Sequence, residues 1–413
     1  MERIILHSDC NSFYASVECL HRPEIRRLPV AVGGDVAQRH GIILAKNQLA
    51  KRCGVQTGEA LWQAKQKCAD LVIVPPRYDL YLRFSRLAQQ IYLDYTDQVE
   101  PFGLDEAWLD VTGSRCIKGD GKTIAQEIRR RVKQELGITV SIGVSFNKVF
   151  AKLGSDYQKP DAVTAIGREN YRKIAWPLPV RDLLYVGPAT EQRLRRYGVR
   201  TIGALAALPI QTLRAEFGKV GEILWAFANG YDASPVERYD NQPTVKSVGN
   251  STTAPRDLCN NEDVKIVLLV LADSVCRRLR EQGFQGKTVH INVRDNRLLS
   301  FTKQISLHRY TNLTEEIARA AYRLFAASYH WRFPVRSVGI SVSSLTGDSA
   351  ATQTSLFESP QRLERQQRLN SAVDSIKSRF GSYAVQPALL LKDPTLSHFD
   401  PKQEHIIHPV GYF

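Results

Sequence analysis

The chain has 413 residues, 43% of them hydrophobic and 9% aromatic, an ordinary folded composition too long for one core, so two to four domains are expected. No window approaches the roughly 18 uninterrupted apolar residues of a membrane span, and the opening MERIILHSDCNSFYASVE lacks the apolar run of a secretory signal, so a cytoplasmic protein is expected. The net charge of +14 calls for a polyanionic partner, nucleic acid before others, and seven cysteines without a CxxC pair exclude a disulfide framework or a zinc site.

Residues 3–9 (RIILHSD) predict a buried strand that ends in a carboxylate. Apolar side chains at helical spacing follow (Phe13, Val17, Leu20), and then LPVAVGG as a strand closed by glycines. A helical stretch is expected over 47–67, punctuated by Gly54 and Gly58, with a strand at 72–76 and a helix at 78–96. GLDEAWLDVTG (103–113) reads as a strand entered through two adjacent carboxylates. KTIAQEIRRRVKQELG (122–137) is a helix stopped by glycine. TVSIGVS (139–145) is a strand leading into a helix that ends before Pro160. This order predicts an α+β sheet with helices on one face, with Asp9, Asp105 and Glu106 at strand ends or in the turns beside them.

Residues 169–230 are helical in pattern, and 231–244 read as a polar linker with two prolines. Mixed structure returns over 245–345, with helices at 261–283 and 314–329 and strands near 287–294 and 335–344. Beyond 347 the chain turns polar. Only 359–380 looks like a helix, of a docking kind, and the tail is expected to be loosely attached. Basic residues concentrate in the second half: 170–230 carries nine Lys/Arg against four Asp/Glu, and 244–345 carries 15 against eight.

Nucleotidyl transfer uses two divalent cations roughly 3.5–4 Å apart, and Mg²⁺ takes hard oxygen ligands. Asp9 and the Asp105–Glu106 pair can supply them if their strands are neighbours, although an Asp-Glu pair in a turn is also a common solvated feature. Four blocks bear on that choice: HSDCNSFYASVE (7–18), AKNQLAKRCGV (45–55), PFGLDEAWLDVTG (101–113) and SIGVSFNKVFAKLGSDYQKP (141–160). In order and spacing they resemble the Y-family DNA polymerases, most closely the DNA polymerase IV (DinB) branch, with weaker similarity running to about residue 345.

The resemblance implies a right-hand polymerase: a ferredoxin-like palm (1–10 and 77–166), small fingers (11–76), a helical thumb (167–232), a linker (233–244), an α+β little finger (245–345) and a C-terminal tail (346–413). It implies template-directed, low-fidelity translesion synthesis from dNTPs on primer-template DNA, by a monomer with no membrane association. No stretch remains for a proofreading exonuclease. Asp9, Asp105 and Glu106 would be the catalytic metal ligands, joined by the Cys10 carbonyl, for two Mg²⁺ ions. Tyr14 would be the sugar gate, against the alternative of a helix residue facing the core. Phe13, Gln48, Lys51 and Lys159 would bind the nucleotide. Gln48 departs from the tyrosine common in the family, Lys51 from arginine, and Gly103 from serine.

VGPATEQRLRRYGVRTIGAL (186–205) resembles a helix-hairpin-helix. Gly187, Ala189 and Thr190 would then meet a DNA phosphate, unless the hairpin is purely structural; Pro188 removes one N–H donor. QTSLF (353–357) resembles the peptide that hooks the bacterial sliding clamp (the polymerase β subunit), with Gln353, Leu356 and Phe357 as anchors. Two rivals stay open: an inactive relative that holds DNA and clamp, and a non-templated nucleotide enzyme on the same palm.

Overall fold

The computed structural model of the protein describes residues 2–35, 41–241, 244–348 and 359–404. They form two compact units, one built mainly from residues before 243 and the other from residues after it. Among the described residues no helix is long and apolar enough to cross a membrane.

The first unit contributes strands β1 (Ile5–Cys10), β2 (Val30–Gly33), β3 (Ile43–Lys46), β4 (Val72–Val74), β5 (Val99–Phe102), β6 (Glu106–Asp110), β7 (Val140–Ser145) and β8 (Val163–Ile166). Its main sheet has the order β5-β6-β1-β7-β8. All pairs in it are antiparallel except β7–β8. Without β8, this is the order and alternation of a ferredoxin-like βαββαβ unit. Helices Tyr78–Leu93 and Gly121–Arg131 cover one face, packing on Leu6, Cys10, Ala107, Leu109, Ile142 and Val144.

The expectation of helices on one face is incomplete. Helix Lys148–Tyr157 lies on the opposite face, where Ala151 packs with Ile5 and Trp108. Covering on both sides explains why all six residues of β1 are buried. The close approach depends on Gly143 in β7: a Cβ there would stand 1.8 Å from the Ala151 carbonyl oxygen and 2.5 Å from the Ser155 nitrogen. Gly143→Ala is therefore expected to destabilise the first unit by about 3 kcal/mol or more, read as a lowered denaturation midpoint. An unchanged midpoint would show that the helix can lift off the sheet freely.

The 47–67 segment is two short helices, Gln48–Arg52 and Leu61–Lys67, joined by a glycine-marked turn, and β3 precedes them. With β2 and β4 it forms a small sheet of order β3-β2-β4. The polar stretch after Gly230 is no free linker within the described residues. Val236 is buried in the cluster with Ile5 and Trp108. The Tyr239 amide donates to the Asp97 carbonyl at 3.0 Å, and the Glu237 amide donates to Glu100 Oε2 at 2.9 Å.

The second unit adds β9 (Ser247–Leu258), β10 (Phe284–Asp295), β11 (Ser300–Thr311) and β12 (Val335–Gly347), in the antiparallel order β11-β10-β12-β9. The sequence pattern pointed to β10 and β12 and missed β9 and β11. Those two are the edge strands: β11 is exposed along most of its length, and the covered positions of β9 include Thr252 and Ala254, so neither shows a strong apolar period. Helices Asn261–Glu281 and Thr314–Ser328 bury Val289, Ile291, Val293, Val338, Ile340 and Val342.

The tail is also tighter than its polarity suggested. Helix Pro360–Phe380 is tied to Asn261–Glu281 by a two-pronged Arg280–Asp374 pair, with Nε to Oδ2 at 2.6 Å and Nη2 to Oδ1 at 2.9 Å, and by Lys377–Asp273 at 2.6 Å. Leu390 and Leu396 then enter the core of the second unit. Attachment by charge pairs and two isolated leucines leaves no hydrophobic period to read.

Candidate active site

Register decides whether the three carboxylates meet. Asp9 lies directly opposite Glu106 across the β1–β6 ladder, as His7 lies opposite Trp108. Directly paired residues point to the same face, with Cβ atoms roughly 4.5–5.5 Å apart. The Cys10 amide donates to the Asp105 carbonyl at 2.8 Å, which fixes the turn before β6 against the end of β1. Gly103 enters that turn at φ 81°, a left-handed conformation that serine would adopt only with strain. The departure at 103 thus has a local reason.

A cavity of about 340 Å³ opens beside these residues. Of the sequence-predicted site, Asp9, Cys10, Phe13, Gln48, Lys51, Asp105 and Lys159 line it. Glu106 and Tyr14 stand just outside its wall. Glu106 is ion-paired with Lys152, and its Oε2 lies 3.2 Å from His7 Nε2. Lys159 Nζ donates to Asp9 Oδ2 at 2.5 Å and to Asp156 Oδ1 at 2.7 Å. Among the described residues no three His, Cys, Asp or Glu side chains already form a closed metal-holding set. Lysines brace the carboxylates instead.

The electrostatics show what the site is short of. Burial, and then the repulsion of Glu106 working against Lys159, pushes Asp9 up to about 7. Burial and Glu106 push Asp105 up to about 6. Burial also opposes the charge on Glu106, but His7 and Lys152 outweigh it and hold that carboxyl down to about 2. Burial keeps His7 neutral, near 4. Three hard-oxygen donors that repel one another suit a divalent cation, which would relieve the repulsion. The chemistry of the donor set therefore fits a metal.

The cavity lining is also basic. Lys46 and Lys51 belong to it, and Lys46 is held below the usual lysine range by burial and then by Lys51. Lys46 and Thr57, joined by a 2.9 Å bond from Nζ to Oγ1, were not singled out in the sequence, nor were His7 and Lys152. Lys46 stands inside the 45–55 block, so the motif held the signal. His7 and Lys152 stand inside the 7–18 and 141–160 blocks in the same way, and only Thr57, just beyond the 45–55 block, is found through its contact with Lys46 alone.

Gly187 caps helix Pro188–Arg195, with nothing within 4 Å of where its Cβ would stand. Pro188 takes the first helical position, whose N–H has no intrahelical partner in any helix, so the Ala189 and Thr190 amides still point out of the N-terminus. In the second unit the sheet face away from the helices carries the cross-strand rows Gln304–His290–Ser341–Gly249, Thr302–Asn292–Gly339–Ser251 and Ser300–Arg294–Ser337–Thr253. This face is small and polar and has no carboxylate. Many of the region's arginines lie elsewhere, in ion pairs: Arg256 with Asp263, Arg277 with Glu281, Arg280 with Asp374, Arg309 with Glu316 and Arg319 with Glu315. All of these carboxylates except Asp374 are among the region's own eight, so the basic excess of 244–345 is left almost intact and the pairs only fix which arginines do not supply it. Gln353, Leu356 and Phe357 lie outside the described residues.

Comparison with known proteins places this geometry. The impB/mucB/samB family model matches residues 8–156 and its C-terminal domain residues 245–356, while a model described as the DNA polymerase-iota thumb domain matches 181–232. DNA polymerase IV of Acetivibrio thermocellus is 51% identical over 397 residues, 96% of this chain and 100% of the relative. The chain belongs to the Y-family DNA polymerases, with DNA polymerase IV as its relatives. The Moorella thermoacetica DNA polymerase IV is 41% identical, covering 94% of this chain and 96% of its own length, and DNA polymerase IV 2 of Bacillus subtilis is 37% identical, covering 93% of each. The fold agrees: a Y-family DNA polymerase chimera, Dbh-Dpo4(243-245)-Dbh, superposes with a TM-score of 0.72 at 22% identity, over 83% of this chain and 98% of that one. As a member of this family, the enzyme is a DNA polymerase that takes DNA and dNTPs and uses divalent metal ions.

Proposed function

We propose that this Y-family polymerase carries out low-fidelity, template-directed synthesis past DNA lesions, as a cytoplasmic monomer tethered to the sliding clamp. The observation that carries this reading is Asp9 facing Glu106 across β1–β6, with Asp105 in a cavity that Lys46, Lys51 and Lys159 also line. The carboxylates suit cations and the lysines a polyphosphate.

Asp9, Asp105, Glu106 and the Cys10 carbonyl would hold two Mg²⁺ ions, which when bound acidify the primer 3′-hydroxyl and neutralise the triphosphate. Lys159 would leave Asp9 for the phosphates, where Lys46, Lys51 and Gln48 add donors. Phe13 lines the sugar end, with Tyr14 behind it as the gate. Lysine at 51 and glutamine at 48 give a looser grip than the arginine and tyrosine common in the family. The main sheet with its helices would serve as palm, the β3-β2-β4 segment as fingers, the helices of 167–232 as thumb and the β11-β10-β12-β9 sheet as little finger. Ala189 and Thr190 amides at one helix N-terminus would hold a phosphate, and the hydroxyl-rich open face would track the backbone without reading bases.

The test is primer extension with divalent metal on four templates that differ at the first copied base. The inserted nucleotide is expected to follow the template each time and to continue past an abasic site. Extension indifferent to the template would favour a non-templated enzyme, and no extension at all would favour an inactive relative.

The clamp tether rests on QTSLF at 353–357. Deleting these five residues is expected to reduce clamp-stimulated product length by about tenfold or more, through lost effective concentration at the primer end, while unstimulated extension stays as it was. Equal stimulation of both proteins would remove the tether from the proposal.

A further inference from the structure

Helix Phe13–His21 carries a buried carboxylate that the metal chemistry does not use. Glu18 is fully buried, one helical turn beyond Tyr14. Arg77 grips it at both oxygens, with Nε at 3.0 Å from each and Nη2 at 2.6 Å from Oε2. The Tyr81 hydroxyl donates to Glu18 Oε1 at 2.7 Å. Tyr81, also fully buried, stacks its ring on Tyr14, centroids 4.2 Å apart and planes 9° from parallel. Tyr78 meets both rings edge-on, at 6.2 and 6.0 Å.

These contacts close a loop. It runs from the Tyr14 backbone along one helical turn to Glu18, across the hydrogen bond to the Tyr81 hydroxyl, and back through the stacked rings to the Tyr14 side chain. A ring held on one face by a parallel ring and on its edge by a third has little freedom to swing about χ1. Arg77 supplies the countercharge that lets the carboxylate stay buried and fixes its orientation in fork geometry. A plain interhelical ion pair would need neither the tyrosine hydroxyl nor the stack.

We propose that Glu18, Arg77 and Tyr81 are positioning residues that hold the Tyr14 ring at the sugar end of the nucleotide site, so that rejection of ribonucleotides depends on them without their touching the nucleotide. This rests on the reading of Tyr14 as the gate. A gate rejects an extra oxygen only if it cannot yield, so a loosened ring loses discrimination before it loses synthesis.

The experiment compares kcat/KM for ribo- and deoxyribonucleotides in the full-length enzyme, with melting temperature measured alongside. Tyr81→Leu removes the stack and is expected to lower discrimination about tenfold, the scale of one aromatic contact. Tyr81→Phe keeps the ring and loses only the hydrogen bond, so a fall of about threefold is expected, as for Glu18→Met, which removes the acceptor at similar length. The double variant Glu18→Met/Tyr81→Phe should fall no further than either single change, because both break the same bond. In a Tyr14→Ala background, Tyr81→Leu should leave the ratio unmoved, although it still lowers the melting temperature. If Tyr81→Leu kept wild-type discrimination while Tyr14→Ala lost it, the positioning role would be overturned and the gate would stand. If Tyr14→Ala itself kept full discrimination, the gate would fall, and this role with it.

Discussion

Replacing Asp105 and Glu106 together by alanine is expected to cut template-directed extension by about a thousandfold or more, while the metal-free protein still folds and melts close to wild type. The first half follows from charge: without these oxygens Asp9 is left alone to hold the cations, and several kcal/mol of transition-state stabilisation goes with them. The second follows from two opposed contributions. Asp105 is pushed up to about 6 by burial and by Glu106, so its removal relieves repulsion before metal arrives. Against burial, His7 and Lys152 hold Glu106 down to about 2, so its removal gives up a favourable pairing and frees Lys152 from its partner. Added Mg²⁺ should raise the melting temperature of the wild type and leave the double variant unchanged. A double variant that still extends primers at the wild-type rate would remove these residues from the chemistry.

Asp9 adds a pH dependence with a definite sign. Its folded-state pKa of about 7 lies above the ordinary 3.8. Between those values the folded chain binds the proton that the unfolded chain has released, so stability falls as pH rises and the loss is complete above about pH 7. Asp9→Asn abolishes that loss. In metal-free buffer its melting-temperature advantage over wild type should therefore grow from about pH 5 to about pH 8. An advantage that shrank over this range would mean that Lys159 stabilises the ionised Asp9 by more than burial and Glu106 cost it.

How much of this was legible depended on whether the signal was local. HSDC, GLDEAW and SIGVSFNK each combine an apolar strand with the polar group at its end, so β1, β6 and β7 and the carboxylates on them could be read residue by residue. The pairing of Asp9 with Glu106 could not. Register is a relation between distant segments, and without it the contacts of His7 and Lys152 with Glu106 cannot be read. Edge strands β9 and β11 hid because β11 buries little of its length and β9 fills covered positions with Thr252 and Ala254. The docking helix of 359–380 was legible, but the firmness of its attachment was not: Asp374, Lys377 and Asp393 look like solvated charges until Arg280, Asp273 and Arg256 are placed opposite them. The basic count of 244–345 gave the excess but not its place, since a sum of charges does not say which arginines are paired with neighbours.

Tyr14→Ala is expected to raise ribonucleotide incorporation relative to deoxyribonucleotide by about a hundredfold, with much smaller change in deoxyribonucleotide use. Tyr14 is half-buried, and burial followed by the nearby Asp105 carboxylate pushes its hydroxyl up to about 12. That places the phenol beside the site's anions, while the ring leans on Tyr81. A residue serving only as core would be indifferent to sugar, and its truncation would cost about 1–3 kcal/mol of stability and nothing else. A gate behaves differently: truncation opens space where a 2′-oxygen would sit, and the barrier to ribonucleotides collapses even where the fold is barely disturbed. Single-turnover incorporation of matched ribo- and deoxyribonucleotides separates the two, because it reads the sugar step apart from product release. A lowered melting temperature with an unmoved sugar ratio would return Tyr14 to the core and leave the enzyme to reject ribonucleotides by some other contact.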